Sequence, residues 1–319
     1  MHPGFQRVRA IEHFTTRHAE LKNRWSYQTL ILLLVRSYFL HFPIDRGKVR
    51  LRQWIEPTLR RAGKIPISLD RNTTILVDIN EPLQRSIFYH GVYEKEERLF
   101  RFLLSEGMTV FDVGANVGLY ALLAASRVGI RGQVHAFEPA PDNFLSLEEN
   151  VRRNHFTNVT VNHAAVSDAC TSARLYLSPP GNCGKHSMFP TNKQRDSIEV
   201  PCVSIKTYMK KKKLQKVDLL KIDVEGAEML VLNGTAQLLS SPCSPIVFCE
   251  VSDELAAPFG YSSRDAKGLL RSHGYKIYRY GCERLIPVTS DESHYCENLV
   301  FVKPEHFDRF AVLRGMIDE

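Results

Sequence analysis

The sequence lacks several features that would place it in familiar classes of protein. Its seven cysteines are odd in number and include no C-x-x-C pair, so neither a disulfide framework nor a zinc site is indicated. Its longest apolar run extends only from Leu30 to Val35, whereas a membrane-spanning helix needs about 20 apolar residues. No small-residue cleavage site follows this run, so a signal peptide is not predicted. We expect a protein of the reducing cytoplasm, with this run in a buried or interfacial helix.

Acidic residues are scarce in one part of the chain. Residues 1–64 hold 13 Lys/Arg and 4 Asp/Glu, and the remainder holds 29 and 31. This asymmetry suggests contact with an acidic surface such as lipid headgroups, a charged glycan or nucleic acid, with a solvated basic helix as the alternative. We therefore predict a basic, mainly helical extension over 1–64, a core domain over 65–304 and a tail over 305–319. Helices are expected over 25–41 and 48–62, although Pro57 argues for a break in the second.

The most informative stretch joins a short buried strand to a helix through two glycines. It reads acidic-x-Gly-x-Asn-x-Gly, with Asp112 before the turn and Gly114, Asn116 and Gly118 within it. A dinucleotide-binding turn needs glycines at the first, third and sixth positions of G-x-G-x-x-G, so this spacing disfavours an NAD-dependent oxidoreductase. The glycines permit positive φ and let a ligand lie against the backbone at a helix N-terminus. An acid at this turn suits a cationic ligand, as in the glycine loop of S-adenosylmethionine-dependent methyltransferases.

Strands and helices alternate after this stretch, which predicts an α/β fold with a doubly wound, mostly parallel sheet. Two short strands within residues 65–79 add a small β-hairpin. In doubly wound sheets, ligands bind beyond the carboxyl ends of the strands. Four acidic residues stand at or just after such ends: Asp112, Glu138, Asp223 and Glu250. Their shared position predicts a cationic or hydroxyl-rich ligand at this rim.

Two of these positions suggest contacts with a nucleoside. Glu138 follows the second strand of the core, where a carboxylate can accept hydrogen bonds from both hydroxyls of a ribose. The alternative is a helix N-cap role that Glu138 shares with Asp142. After the third strand, the small residues Ala164 and Ala165 would let a flat adenine ring lie against the chain, with ordinary close packing as the alternative.

Three carboxylates within six residues, Asp223, Glu225 and Glu228, follow another buried strand. An alcohol hydroxyl needs a general base before it attacks a methyl donor, and Asp223 or Glu225 is our candidate. His186, in a loop over 178–196 that is long enough to be a substrate lid, is an alternative base. For Glu225 and Glu228 the alternative is a helix-start charge. The sequence indicates no metal ligands, although Asp223 and Glu250 are the pair that could hold Mg²⁺.

Five stretches resemble the FkbM family of S-adenosylmethionine-dependent methyltransferases. They occur in order across the predicted core domain: Gly91-Val-Tyr-Glu94, Val110-Phe-Asp-Val-Gly-Ala-Asn-Val-Gly118, Ala136-Phe-Glu-Pro139, Leu220-Lys-Ile-Asp-Val-Glu-Gly-Ala-Glu228 and Asn298-Leu-Val-Phe-Val302. The resemblance implies a Rossmann-like sheet of seven strands with the last one antiparallel. It also implies methyl transfer from S-adenosylmethionine to a hydroxyl of a sugar, glycan or small natural product, and it adds Glu94 to the cofactor-binding residues. It does not cover residues 1–64 and does not fix the acceptor.

Two other functional classes are considered. One is a catalytically inactive methyltransferase fold that binds a membrane or an anionic partner through its basic N-terminus. Against it, Asp112, Gly114, Gly118 and Glu138 are all present together. The other is nucleic-acid methylation, which we do not expect because the Asn/Asp-Pro-Pro-Tyr/Phe motif is absent and the excess basic charge lies outside the core domain. The oligomeric state is not predicted.

Overall fold

The computed structural model describes residues 34–42, 47–61, 63–91, 94–179, 181–190, 196–289 and 296–317. Residues 34–41 are helical, and the earlier part of the helix expected over 25–41 lies outside the described residues. The later α-helices are α1 (Lys48–Arg61), α2 (Pro82–His90), α3 (Glu96–Leu103), α4 (Leu119–Val128), α5 (Pro141–Arg153), α6 (Ile205–Lys212), α7 (Glu228–Leu239), α8 (Asp253–Ala256), α9 (Ser263–Ser272), α10 (Pro304–Arg309) and α11 (Ala311–Arg314). No helix within the described ranges has the length and apolar character that crossing a membrane requires.

The strands form three sheets. Their bounds are β1 (Lys64–Ser68), β2 (Thr74–Asp78), β3 (Thr109–Val113), β4 (Gln133–Phe137), β5 (Val159–Asn162), β6 (Ala165–Val166), β7 (Ser172–Leu177), β8 (Asp196–Val203), β9 (Leu219–Ile222), β10 (Ile246–Val251), β11 (Lys276–Gly281), β12 (Arg284–Pro287) and β13 (Glu297–Val302). The main sheet has the order β12-β11-β13-β10-β9-β3-β4-β5. Strands β1 and β2 form the expected antiparallel hairpin, and β6, β8 and β7 form a small third sheet.

The main sheet is mostly parallel and covered on both faces. Neighbouring strands from β10 through β9, β3 and β4 to β5 are parallel, and β13 is antiparallel to both β10 and β11. Helices α4 and α5 bury apolar residues on one face, and α6, α7 and α9 bury theirs on the other. This arrangement confirms the doubly wound sheet and the antiparallel last strand, and it brings the carboxyl ends of β3, β4, β9 and β10 to one edge.

The sheet has eight strands where seven were expected. The extra strand, β12, pairs antiparallel with β11 across a turn in which Cys282 and Glu283 have positive φ. Only Leu285 is buried in β12, so the strand carries no alternating apolar pattern that would have revealed it.

Helix α1 continues through Pro57, where the sequence suggested a break. Proline removes one backbone hydrogen bond from a helix interior and costs about 3 kcal/mol there. Ile55 and Leu59, on either side of the proline, are buried in the apolar core. Their burial holds the helix together. At the other end of the chain, Phe310 and Leu313 are buried in the same core.

Candidate active site

A cavity of about 280 Å³ opens at the edge of the sheet where the parallel strands end. Most residues singled out in the sequence line it: Gly114, Asn116, Glu138, Ala164, Ala165, His186, Asp223, Glu225 and Glu250. Four others do not belong to its wall: Glu94, Asp112, Gly118 and Glu228. The topology thus brings together side chains that are far apart in sequence.

The two glycines of the turn after β3 have positive φ, as expected, of 82° at Gly114 and 96° at Gly118. Contacts within the protein leave no room for a side chain at Gly114, whereas at Gly118 the neighbouring atom belongs to a leucine side chain that can shift. A Cβ atom on Gly114 would lie 1.7 Å from the carbonyl oxygen of Asp223, and one on Gly118 would lie 2.5 Å from Leu147 Cδ1. The backbone N–H groups of Gly114 and Ala115 both donate to the carbonyl of Phe137. The turn is therefore held against the end of β4 and the loop after β9, and of the two glycines Gly114 lines the cavity.

Glu138 is held at the cavity by two backbone donors. Its Oε2 accepts from the N–H of Asn116 at 2.8 Å, and its Oε1 accepts from the N–H of Ala140 at 2.9 Å. Ala140, not Glu138, is the N-cap residue of α5, and no side chain caps that helix. Burial raises the pKa of Glu138 to about 7, and the two N–H groups oppose the rise. Each carboxylate oxygen keeps lone-pair capacity for a ligand hydroxyl.

Asp112 lies within β3, beneath the turn, and is only 1% exposed. It stands directly opposite Lys221 of β9 in the parallel register. Burial raises the pKa of Asp112 to about 6, and the charge of Lys221 is the largest opposing influence. Neither carboxylate oxygen has a hydrogen bond of good geometry among the described residues, although the backbone N–H of Ala121 also lowers the pKa. Asp112 can therefore act on a ligand only through its charge.

Glu94 lines a second, very small cavity together with Tyr120 and Lys221. Its Oε2 accepts a hydrogen bond from the Tyr120 hydroxyl at 2.7 Å. Burial raises the pKa of Glu94, whereas the charge of Lys221 lowers it. The structure thus places Glu94 outside the wall of the main cavity, next to Tyr120 and Lys221.

Three carboxylates crowd the other side of the main cavity. Oxygen atoms of Asp223, Glu225 and Glu250 all lie within 4.8 Å of one another. Burial, followed by the charge of Asp223, raises the pKa of Glu225 to about 8 and that of Glu250 to about 9. Cys296 Sγ donates to Glu250 Oε1 at 2.5 Å. Such crowding suits a cation or a hydroxyl donor in the cavity, and we assign no metal ion to these three residues.

The loop after β7 contributes residues 182–186 and 188 to the cavity wall. Its described part is fastened by Glu81, which accepts hydrogen bonds from the N–H groups of Gly181 and Cys183. Asn143 of α5 donates to the Cys183 carbonyl at 2.9 Å. Within the loop, His186 Nδ1 accepts from the N–H of Ser178 at 3.0 Å. Burial lowers the pKa of His186, so its ring is neutral near pH 7.

Sequence reasoning gave no role to Lys221 or Glu81. Lys221 is 5% exposed, and its Nζ lies 2.9 Å from Asp223 Oδ2 and 4.5 Å from the centre of the Tyr120 ring. The signal was available, because a lysine inside the apolar strand Leu219–Ile222 needs buried partners. Glu81 offered no such signal, since its partners are about 100 residues away along the chain: the N–H groups of Gly181 and Cys183 and the Cys183 thiol.

Comparison with known proteins connects this site to one family. The sequence profile described as Methyltransferase FkbM domain matches residues 112–277. This range begins at Asp112, near the end of β3, and contains the turn after that strand, Glu138 and the Asp223 loop. A relative from Streptomyces tacrolimicus, 31-O-demethyl-FK506 methyltransferase FkbM, is 30% identical over 203 residues, which cover 54% of this chain and 75% of the relative.

A second relative and a solved structure are also similar to this chain. Hexuronic acid methyltransferase AglP from Haloferax volcanii is 29% identical over 149 residues, which cover 46% of this chain and 59% of that protein. The crystal structure of methyltransferase FkbM from Methylobacillus flagellatus superposes with a TM-score of 0.42 and 14% identity, covering 79% of this chain and 60% of that one.

Proposed function

Because the chain belongs to the FkbM family of S-adenosylmethionine-dependent methyltransferases, we propose that it methylates a hydroxyl of a sugar, a glycan or a small natural product. The names of the two relatives support this acceptor class, since one refers to a hexuronic acid and the other to 31-O-demethyl-FK506. The observation that carries the proposal is the acidic cavity at the ends of the parallel strands. We assign catalysis to residues 65–304, with 1–64 as an extension and 305–319 as a tail.

The residues around the cavity fit S-adenosylmethionine. When bound, it supplies a methyl group on a positively charged sulfonium. Glu138 would accept the ribose hydroxyls, because its oxygens are oriented by two backbone donors and keep free lone pairs. Ala165 would lie against the adenine, and Asn116 also lines the cavity. Asp112 and Glu94 lie outside the wall, where their charges favour a cation in the cavity.

The carboxylates around Asp223 would orient the acceptor and take its proton. Asp223 already accepts a hydrogen bond from the Lys221 ammonium, so we assign it to positioning. Glu225 is the stronger candidate for the general base, because its pKa of about 8 lies near the working pH, where base catalysis is most efficient. His186 stays a second candidate through its Nε2, since its Nδ1 is occupied.

Three variants separate these roles: Glu225→Gln, Asp223→Asn and His186→Ala. We expect Glu225→Gln to lower kcat by about a hundredfold or more while the Kd for S-adenosylmethionine changes less than about threefold. Transfer of a labelled methyl group to a panel of hexuronic acids, other glycans and hydroxylated macrolides measures this. A wild-type kcat in all three variants would show that none of these three residues acts as the general base.

A surface contact with an anionic membrane is proposed for the extension. On the outer face of α1, Trp54 is 80% exposed and lies between Arg50 and Arg61, one turn before and two turns after it. No ion pair joins either arginine to another described residue. Tryptophan and arginine both favour the membrane interface. Arg60 of α1 also hydrogen-bonds to Asn80, the residue before Glu81, which holds the loop after β7.

Co-sedimentation with lipid vesicles tests this contact. We expect the protein to bind vesicles that contain an anionic lipid and not vesicles of phosphatidylcholine alone. Arg50→Glu combined with Arg61→Glu should abolish binding, whereas Lys210→Glu combined with Lys211→Glu, which changes net charge equally on α6, should not. Equal binding by the two double variants would mean that α1 is not the contact surface.

A further inference from the structure

Lys221 occupies an unusual place for a lysine. It lies in the central strand β9, in register with Asp112 of β3 on one side and Phe248 of β10 on the other. Directly opposed residues of neighbouring strands project to the same face of a sheet. Lys221 and Asp112 are therefore a buried pair of opposite charge beneath the wall of the cavity.

Several groups face this ammonium from the elements packed around it. Asp223 is 2.9 Å away on the same chain segment, and Glu94 and Asp112 act on it from two other segments. The Tyr120 ring of α4 covers it at 4.5 Å, and Tyr120 also donates to Glu94. Farther out are the titratable groups of Glu225, Cys249, Glu250 and Cys296, and Lys185 approaches Glu225 from the loop after β7.

Three carboxylates surround the single ammonium of Lys221. Burial alone would lower the pKa of Lys221, but Asp223, Glu94 and Asp112 outweigh it and keep the pKa above its usual value. Lys221 in turn lowers the pKa of Glu94 and of Asp112. The ammonium thus stays charged at any working pH, and it favours the ionised form of the carboxylates on both sides.

We propose that Lys221 is a positioning residue for methyl transfer, which fixes the orientation of Asp223 and keeps Asp112 and Glu94 charged beneath the cofactor cavity. The inference rests on the proposed function. It assigns Lys221 no contact with the substrate or the cofactor. Its effect passes through the three carboxylates, whose negative charge faces a cationic methyl donor.

The test compares Lys221→Met with Lys221→Arg and with a matched lysine-to-methionine control just before β9. Lys216→Met is that control, because Lys216 pairs with Asp218 at the opposite end of the sheet from the cavity. The Kd for S-adenosylmethionine and kcat are measured from pH 6 to pH 9, and unfolding is measured by urea titration.

Without Lys221, the pKa values of Asp112 and Glu94 should rise, so that these carboxylates become protonated at a higher pH than in the wild type. We expect Lys221→Met to weaken binding of S-adenosylmethionine by about tenfold at pH 6.5 and by less than about threefold at pH 8.5. The acidic limb of the binding profile, where affinity falls as the pH falls, should therefore move to higher pH by about one unit. Its kcat should also fall at pH 8.5, because Asp223 is no longer held. Lys221→Arg should keep the wild-type profile, and so should Lys216→Met even where its stability is lower.

The outcomes are distinguishable. A purely structural role would reduce the active fraction of Lys221→Met equally at every pH, and an acidic limb within about 0.3 pH units of wild type would overturn the proposal. Should Lys221→Met not fold, Lys221→Met with Asp112→Asn removes both charges of the cross-strand pair, and its profile is compared with that of Asp112→Asn alone. A wild-type protein that fails to bind S-adenosylmethionine at any pH would instead refute the proposed function.

Discussion

At the scale of single residues, the site is made of carboxylates that the fold keeps away from water. Glu138 and Glu225 line the cavity, and Asp112 lies beneath it. Burial is the first cause of the raised pKa of each. Buried carboxylates are costly unless a positive charge or hydrogen-bond donors compensate them. Their concentration at one edge is what makes the cavity suited to a cation.

Replacement of Glu138 by glutamine should weaken binding of S-adenosylmethionine by at least tenfold, or about 1.4 kcal/mol. The amide keeps one acceptor oxygen, but its NH₂ group must face a backbone N–H that now donates to a carboxylate oxygen. Calorimetric titration measures the change. Glu148→Gln, at an exposed position of α5, is the control and should bind like wild type. Equal affinities in the two variants would exclude Glu138 from the cofactor site.

At the scale of secondary-structure elements, the turn after β3 shows what the sequence could and could not reveal. The glycines predicted the positive φ values, and the apolar residues on either side of the turn predicted the strand before it and the helix after it. The sequence did not reveal that Gly114 is needed for the close approach of the Asp223 carbonyl, because that contact joins segments about 110 residues apart. The sequence likewise showed Lys221 only as a charged residue within an apolar strand. Its partner Asp112 became evident from the register of β3 and β9, which places the two residues opposite each other.

Gly114→Ala should lower the free energy of unfolding far more than the same substitution at another glycine with positive φ. Gly107 has the same φ of 82°, and a Cβ added there meets no atom within 4 Å. Gly107→Ala should therefore lower the free energy of unfolding by only about 1–2 kcal/mol, the cost of the left-handed conformation. Gly114→Ala adds the clash with Asp223 and should lose at least about 2 kcal/mol more and bind no S-adenosylmethionine. Urea titration of both variants measures the difference, and similar losses would mean that the contact relaxes freely.

At the scale of the whole molecule, the sequence predicted the doubly wound sheet and the rim on which the acidic residues gather. Alternating strands and helices carry that information locally. The eighth strand and the unbroken α1 were missed because tertiary contacts decide them. The resulting fold gathers five carboxyl groups whose pKa values burial raises to between about 6 and about 9: Asp112, Glu138, Glu225, Glu228 and Glu250.

The ligand-free protein should therefore become less stable as the pH rises from about 6.5 to about 9. In this window the folded state binds more protons than the unfolded state, whose carboxyl groups are already ionised, so the free energy of unfolding falls with pH. We expect a loss of at least about 2 kcal/mol, measured by urea titration at both ends of the window. Saturation with S-adenosylmethionine should reduce this loss, because a bound cation favours the ionised carboxylates. Stability that rises over this range would contradict the described charge distribution.

Calorimetric titration of the purified protein with S-adenosylmethionine, with NADH as the control, tests the central claim most directly. The site described here predicts micromolar binding of S-adenosylmethionine, no binding of NADH, and clearly weaker binding of S-adenosylmethionine by Asp112→Ala. Binding of NADH, or the absence of S-adenosylmethionine binding at pH 8, would contradict the assignment of this cavity to a methyl donor.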